Sequence, residues 1–155
     1  MAPKAVGYDW LVAFVGEAKV EDQLVDFEDR VAGDKIYSPR MWQLLGEFYR
    51  MDLLHGVLLQ RLIVVQVAEI LKDLLDVDVS RGGDDLYIDG KKLSVSIATR
   101  TSGSVLIHFG FNIVEVDKWG WIKLKDVNGF SKCFFDKFIG EWKSINRAYR
   151  KVAWR

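Results

Sequence analysis

"DDLYIDGKKLSVSIATRTSGSVLIHFGFNI" (residues 84–113) alternates apolar and polar residues along most of its length, the period of an extended strand. Asp89-Gly90 divides it, because a two-residue hairpin turn needs positive φ at both positions and this dipeptide tolerates it. With the turn there, Ile88 pairs with Lys91, Tyr87 with Lys92 and Asp85 with Ser94. Leu86, Ile88, Leu93, Val95 and Ile97 then share one face, and Asp85, Tyr87, Lys92, Ser94, Ser96 and Ala98 the other. Ser102-Gly103 marks a second turn. Beyond it, the alternation assigns Val105, Ile107, Phe109, Phe111 and Ile113 to the apolar face, and Leu106, His108, Gly110 and Asn112 to the polar one. Two readings of that polar face stand. It is the wet side of an antiparallel sheet, or its small residues leave room for something packed close, as glycine within a strand often does. A lysine among Ser and Asn suits a carboxylate or a phosphate.

The surrounding chain supplies helices for the apolar face. "DWLVAFVGEAKV" (9–20) reads as a buried strand, and "DQLVDFEDRVAGDK" (22–35) as a short strand and loop. Ser38-Pro39 is a helix-start signal, so "MWQLLGEFYR" (41–50) is expected to be helical. Asp52 can cap a longer helix over 53–75, with Leu54, Val57, Leu58, Leu62, Val65, Ala68, Leu71 and Leu75 at helical spacing. "VDVS" (77–80) reads as a strand, "RGG" (81–83) as a break and "WIKLKDV" (121–127) as a further strand. From Ser131 a C-terminal amphipathic helix is expected, with Phe135, Phe138, Ile139, Trp142, Ile145, Tyr149 and Val152 on one stripe. The expected fold class is α+β, a mostly antiparallel sheet packed on one face by helices.

Composition bounds the function. At 155 residues the chain fits a single domain. Lys plus Arg and Asp plus Glu both number 22, so no global field draws it to nucleic acid or to an anionic membrane. One cysteine excludes an intrachain disulfide, and a cytoplasmic location is expected. No uninterrupted apolar stretch reaches the length of a membrane span. Exposed sheet edges would allow a homodimer.

The segment "RGGDDLYIDGKKLSVSI" followed by "HFGFNI" resembles the biotin protein ligases. They carry K-W-P-N-D-L-Y-x-D-G-K-K-L-A-G-I and then a strand ending G-x-G-x-N. Lipoate ligases and octanoyl transferases have related segments. Over its whole length the chain is identified as a member of an uncharacterised prokaryotic family, number 366 among the domains of unknown function. That family is placed with the biotin/lipoate ligase fold, itself related to class II aminoacyl-tRNA synthetase domains. The resemblance implies that Lys92 matches the lysine before the turnback strand in the transferases, where it works with a cysteine. Asp85 matches the aspartate of the ligases' N-D pair, Asn112 the closing asparagine, and His108 lies near the transferases' histidine. Arg81 replaces the lysine that heads K-W-P-N-D, and Gly82-Gly83 replaces Trp-Pro. The glycine-arginine loop that covers the adenylate in biotin ligases is absent, with "VDFEDRVAGDK" in the corresponding region.

The candidate catalytic residues are therefore Lys92, His108 and Cys133. Lys92 is either a solvated strand lysine or the group that holds an acyl carbonyl. His108 is a general base or a satisfied structural histidine. Cys133 is an acyl acceptor near a helix start or a small buried hydrophobe. Arg81, Asp85, Ser94, Ser96, Gly110 and Asn112 are the candidate ligand-binding residues. The acidic "DFED" (26–29) could hold magnesium or edge a solvated loop, and no metal site is assigned. The expected function is binding of a small carboxylate or nucleotide, with ATP as the implied cosubstrate, and acyl or adenylate transfer to an amine. The alternatives are a binding or regulatory module without the chemistry, and an RNA-associated protein using the basic tail (Lys143, Arg147, Arg150, Lys151, Arg155).

Overall fold

The computed structural model describes residues 8–20 and 36–151. A four-stranded antiparallel sheet runs in the order β1-β2-β7-β6. Its strands are β1 (Trp10–Val20), β2 (Ile36–Tyr49), β6 (Ser94–Arg100) and β7 (Ser104–Asn112). A smaller sheet holds β3 (Ser80–Gly82), β4 (Asp85–Ile88) and β5 (Lys91–Lys92). Helices α1 (Leu53–Leu75) and α2 (Val127–Lys151) pack on one face of the larger sheet. The α+β architecture is as expected from the sequence.

Residues 41–49 form a central strand, not a helix. Trp42 pairs with Phe111, Leu44 with Phe109 and Phe48 with Val105. All six side chains are at most 2% exposed. Met, Leu, Gln and Glu favour helices, but with partners on both sides the ladder overrides a weak propensity. Pro39 does not start a helix. Gly16 pairs with Met41 and Ala18 with Ser38, so Pro39 and Arg40 together oppose Glu17. That is a bulge, where a residue without an N–H is tolerated.

Helix α1 begins where expected: the Asp52 carboxylate accepts a hydrogen bond from the His55 N–H at 2.9 Å. It buries Leu59, Ile63, Val64, Val67, Ile70 and Leu71. Leu54 and Leu58, from the stripe read in the sequence, are instead 68% and 59% exposed. By length and composition alone α1 could cross a membrane, but its buried side is occupied by the sheet. Residues 77–79 lie outside the ladder, and β3 comprises Ser80, Arg81 and Gly82; the expected break at "RGG" is thus mostly strand. "WIKLKDV" is not a strand. Residues 121–126 follow an irregular path, and α2 starts at Val127, one turn earlier than expected. Asp126 accepts from the Gly129 N–H at 2.8 Å to open it.

The hairpin at 89–90 is as read. Asp89 and Gly90 have φ of 50° and 74°, with Ile88 paired to Lys91 and Tyr87 to Lys92. The faces beyond it are not. Ser94 pairs with Phe111, Ser96 with Phe109 and Ala98 with Ile107, so these small residues lie on the helix side. Val95 pairs with Gly110 and Ile97 with His108, on the other side. The two-residue turn at Ser102-Gly103 couples even-numbered residues of β6 to odd-numbered ones of β7, and a parity mismatch flips every side chain. The small residues make room for α1. Gln60 on that helix donates to the Ser96 hydroxyl at 2.8 Å, and Gly56 lies directly against Val105.

Candidate functional site

The sequence-predicted residues fall into three places. The first is the β4–β5 hairpin. The Lys92 ammonium lies 3.0 Å from the Asp85 carboxylate, with side chains 22% and 19% exposed. Asp85 sits opposite Gly82 on β3. One residue earlier, the Asp84 carboxylate accepts from Gln60 at 3.1 Å and lies 3.6 Å from the Arg61 guanidinium. Arg81 donates to the Gly83 carbonyl at 2.5 Å. Gly83 has φ of 64°, and a Cβ there would come within 2.6 Å of the Arg61 guanidinium. The hairpin thus carries two neighbouring charged sets, Lys92 with Asp85 and Arg61 with Asp84, with Arg81 tied to the Gly83 carbonyl beside them.

Ser94 and Ser96 support this cluster from inside. The Ser94 hydroxyl accepts from the Leu86 N–H at 2.8 Å, which ties β6 to the hairpin. Gln60 bridges Ser96 and Asp84. Both serines are structural partners of the hairpin rather than the floor of the open sheet face.

The second place is that open face. Here the His108 ring nitrogen lies 3.0 Å from the Gln43 side-chain oxygen, while the Gln43 amide donates to the Gly16 carbonyl at 3.1 Å. Burial pulls the His108 imidazole below its ordinary value of 6.5, which favours the neutral ring. Gly110 is closely met by its own neighbours: a Cβ would lie 3.2 Å from the Trp42 carbonyl and 3.3 Å from Met41 and Gln43. Asn112, buried, donates to the Gly120 carbonyl at 2.9 Å, and the Gly120 N–H donates to the Lys92 carbonyl at 2.9 Å. A cavity of about 10 Å³ beside Asn112, Val95 and Trp119 holds about one water. Asn112 thus secures the 113–122 segment over the hairpin, and its side chain is occupied. Lys92 is not on one platform with His108, Gly110 and Asn112.

The third place is the start of α2. Cys133 is in the second turn of that helix and half-buried, beside Leu74, Leu75 and Phe130. The helix start at Val127 moves it away from the terminal amides that would activate a thiolate. The acidic "DFED" stretch lies outside the described residues, and among the described residues no cluster of metal-ligating side chains occurs.

Gln60, Arg61 and Gln43 were missed in the sequence. For Gln60 and Arg61 the sequence signals only that a partner is needed, since "LLQRLIVVQ" (58–66) sets two polar residues side by side in an otherwise apolar helical run; it does not say which partner.

The family described as Domain of unknown function (DUF366) matches residues 4–153. The chain belongs to this family. An uncharacterised protein of Methanocaldococcus jannaschii is 32% identical over 157 residues, covering 93% of this DUF366 chain and 71% of that protein. A solved structure of a protein of unknown function from Pyrococcus horikoshi superposes with a TM-score of 0.81 at 31% identity, covering 95% and 82% of the two chains. A biotin protein ligase from Aquifex aeolicus, in complex with biotin and ATP, gives 0.59 at 14% identity, over 72% of this chain and 54% of the ligase. A putative lipoate protein ligase from T. acidophilum with bound lipoic acid gives 0.54 at 10% identity, over 84% and 73%. The DUF366 chain has the biotin/lipoate ligase fold.

Proposed function

We propose that this DUF366 chain binds a small acyl carboxylate, or its nucleotide adenylate, at the β4–β5 hairpin, and transfers the acyl or adenylyl group to an amine. The observation that carries this reading is the Lys92–Asp85 pair, 3.0 Å apart and mostly withdrawn from water. A carboxylate that fixes an ammonium presets a cation for the charge that grows on an acyl or phosphoryl oxygen. Solved structures of the same fold in complex with biotin and ATP and with lipoic acid support a carboxylate-bearing ligand. Arg81 and Arg61, which meet at Gly83, are suited to the phosphate side of such a ligand.

A second reading is a binding or regulatory module without turnover. Arg81 favours it: where the ligases carry a lysine, this chain has a group that cannot give up a proton, and it is bound to the chain's own Gly83 carbonyl. ATP-dependent pyrophosphate release, measured across short- and medium-chain carboxylic acids, separates the two. Release supports transfer, and saturable binding without release supports the module. Under both, Lys92→Ala abolishes ligand-induced thermal stabilisation while leaving the unliganded fold intact. Equal stabilisation of variant and parent refutes the site.

A further inference from the structure

The hairpin has a second side. Beneath its core face, between the end of α1, the start of α2 and the irregular segment 121–125, lies an apolar groove that the Lys92 site does not use. One part measures about 490 Å³ and is bordered by Val77, Ile88, Trp121 and Ile122. A second, about 290 Å³, continues past Leu124 and Phe130 and shares Leu74, Leu75 and Lys125 with the first. These volumes reach the range of small-molecule sites. Leu74 and Trp121 are 51% and 39% exposed, so large apolar groups face water along one continuous trench.

Its lining carries two cations, Lys123 and Lys125, and one acid, Asp126. Lys123 and Lys125 stand on the rim, exposed, and neither is paired with a carboxylate among the described residues. The acid beside them, Asp126, is turned to the Gly129 amide at the start of α2. In the run Trp121–Lys125, Ile122 and Leu124 turn toward the protein and the two lysines away, so cations line an oily floor. We propose that this groove binds an anionic amphiphile: an unbranched apolar chain along Leu74, Ile88 and Trp121, ending in a carboxylate or phosphate held by Lys123 and Lys125. Charge complementarity selects an anion, and the apolar lining selects a chain over a compact polar ligand. Ile88 and Lys92 face opposite sides of the hairpin, so this site and the Lys92 site can be filled separately.

The test titrates the full chain with monomeric decanoate, decyl phosphate and decyltrimethylammonium by calorimetry and tryptophan fluorescence. Saturable binding of the two anions but not the cation is expected. Lys123→Glu/Lys125→Glu should bind decyl phosphate, which is no acyl carboxylate, about tenfold more weakly or worse. Lys92→Ala should bind decyl phosphate as the parent does, while its decanoate binding falls only by the share that the proposed Lys92 site takes. If the double variant is misfolded by circular dichroism, Leu74→Gln replaces it, at a half-exposed position, with the same expected weakening. No saturable anion binding, unchanged decyl phosphate binding in the groove variants, decyl phosphate binding lost in Lys92→Ala, or binding only to anionic vesicles each overturns the proposal.

Discussion

The close approach of α1 to β7 can be tested by a pair of substitutions. A methyl group added at Gly56 would be driven into Val105 Cγ1, and two further Val105 atoms lie within 3.2 Å of it. Val105 is fully buried, so it cannot swing into solvent. Alanine in place of glycine stabilises a helix interior by about 1 kcal/mol, whereas overpacking a tight core costs about 1–3 kcal/mol. The collision should win, leaving Gly56→Ala about 1 kcal/mol less stable than the parent. Val105→Ala removes two buried methyl groups and should cost about 2–3 kcal/mol. In the double variant the new methyl enters the space just vacated. Its loss should be smaller than the sum of the single losses by about 1–2 kcal/mol. Urea unfolding of the four proteins, followed by circular dichroism at constant m, measures this. A stabilised Gly56→Ala, or losses that add within about 0.5 kcal/mol, would refute the packing described.

Two other outcomes follow from the assigned faces. Leu44, 1% exposed and turned to the helices, should cost about 2–4 kcal/mol when replaced by alanine; half-buried Leu45 on the open face should cost less than half of that, whereas a helix would not separate adjacent residues this way. His108 should make stability fall on acidification. Its folded value lies below the ordinary 6.5, so the unfolded ring takes up a proton first and the stability present above that value is lost as pH drops through it. His108→Gln should flatten this slope between neutral pH and the lower, folded value, as read by thermal unfolding across pH; an unchanged slope would assign it to other groups.

Sequence pattern alone located the hairpin, the cap of α1 and the layering, because each rests on local chemistry: positive φ at 89–90, a carboxylate at 52, period two across β6 and β7. It failed where a local preference met a tertiary demand. Residues 41–49 look helical in isolation, and only strands on both sides make them a strand. The face of Ser94 and Ser96 was misread because the alternation was followed by polarity, while the turn at 102–103 had already set the opposite parity. The proposed site draws on Lys92, Asp85 and Arg81, which lie close in sequence. Gln60 and Arg61 reach the same place from a helix some twenty residues upstream, and no local pattern announces a contact of that kind.

Leu93 joins the two ladders: its N–H donates to the Leu86 carbonyl at 2.8 Å, and its carbonyl accepts from the Asn112 N–H at 3.1 Å. A residue inserted after Leu93 would have to keep both bonds across a longer link, or turn Val95 and Ile97 toward α1 and Ser94 and Ser96 away from it. This single residue therefore sets the phase between the hairpin and the large sheet, and its spacing decides which side chains of β6 meet α1.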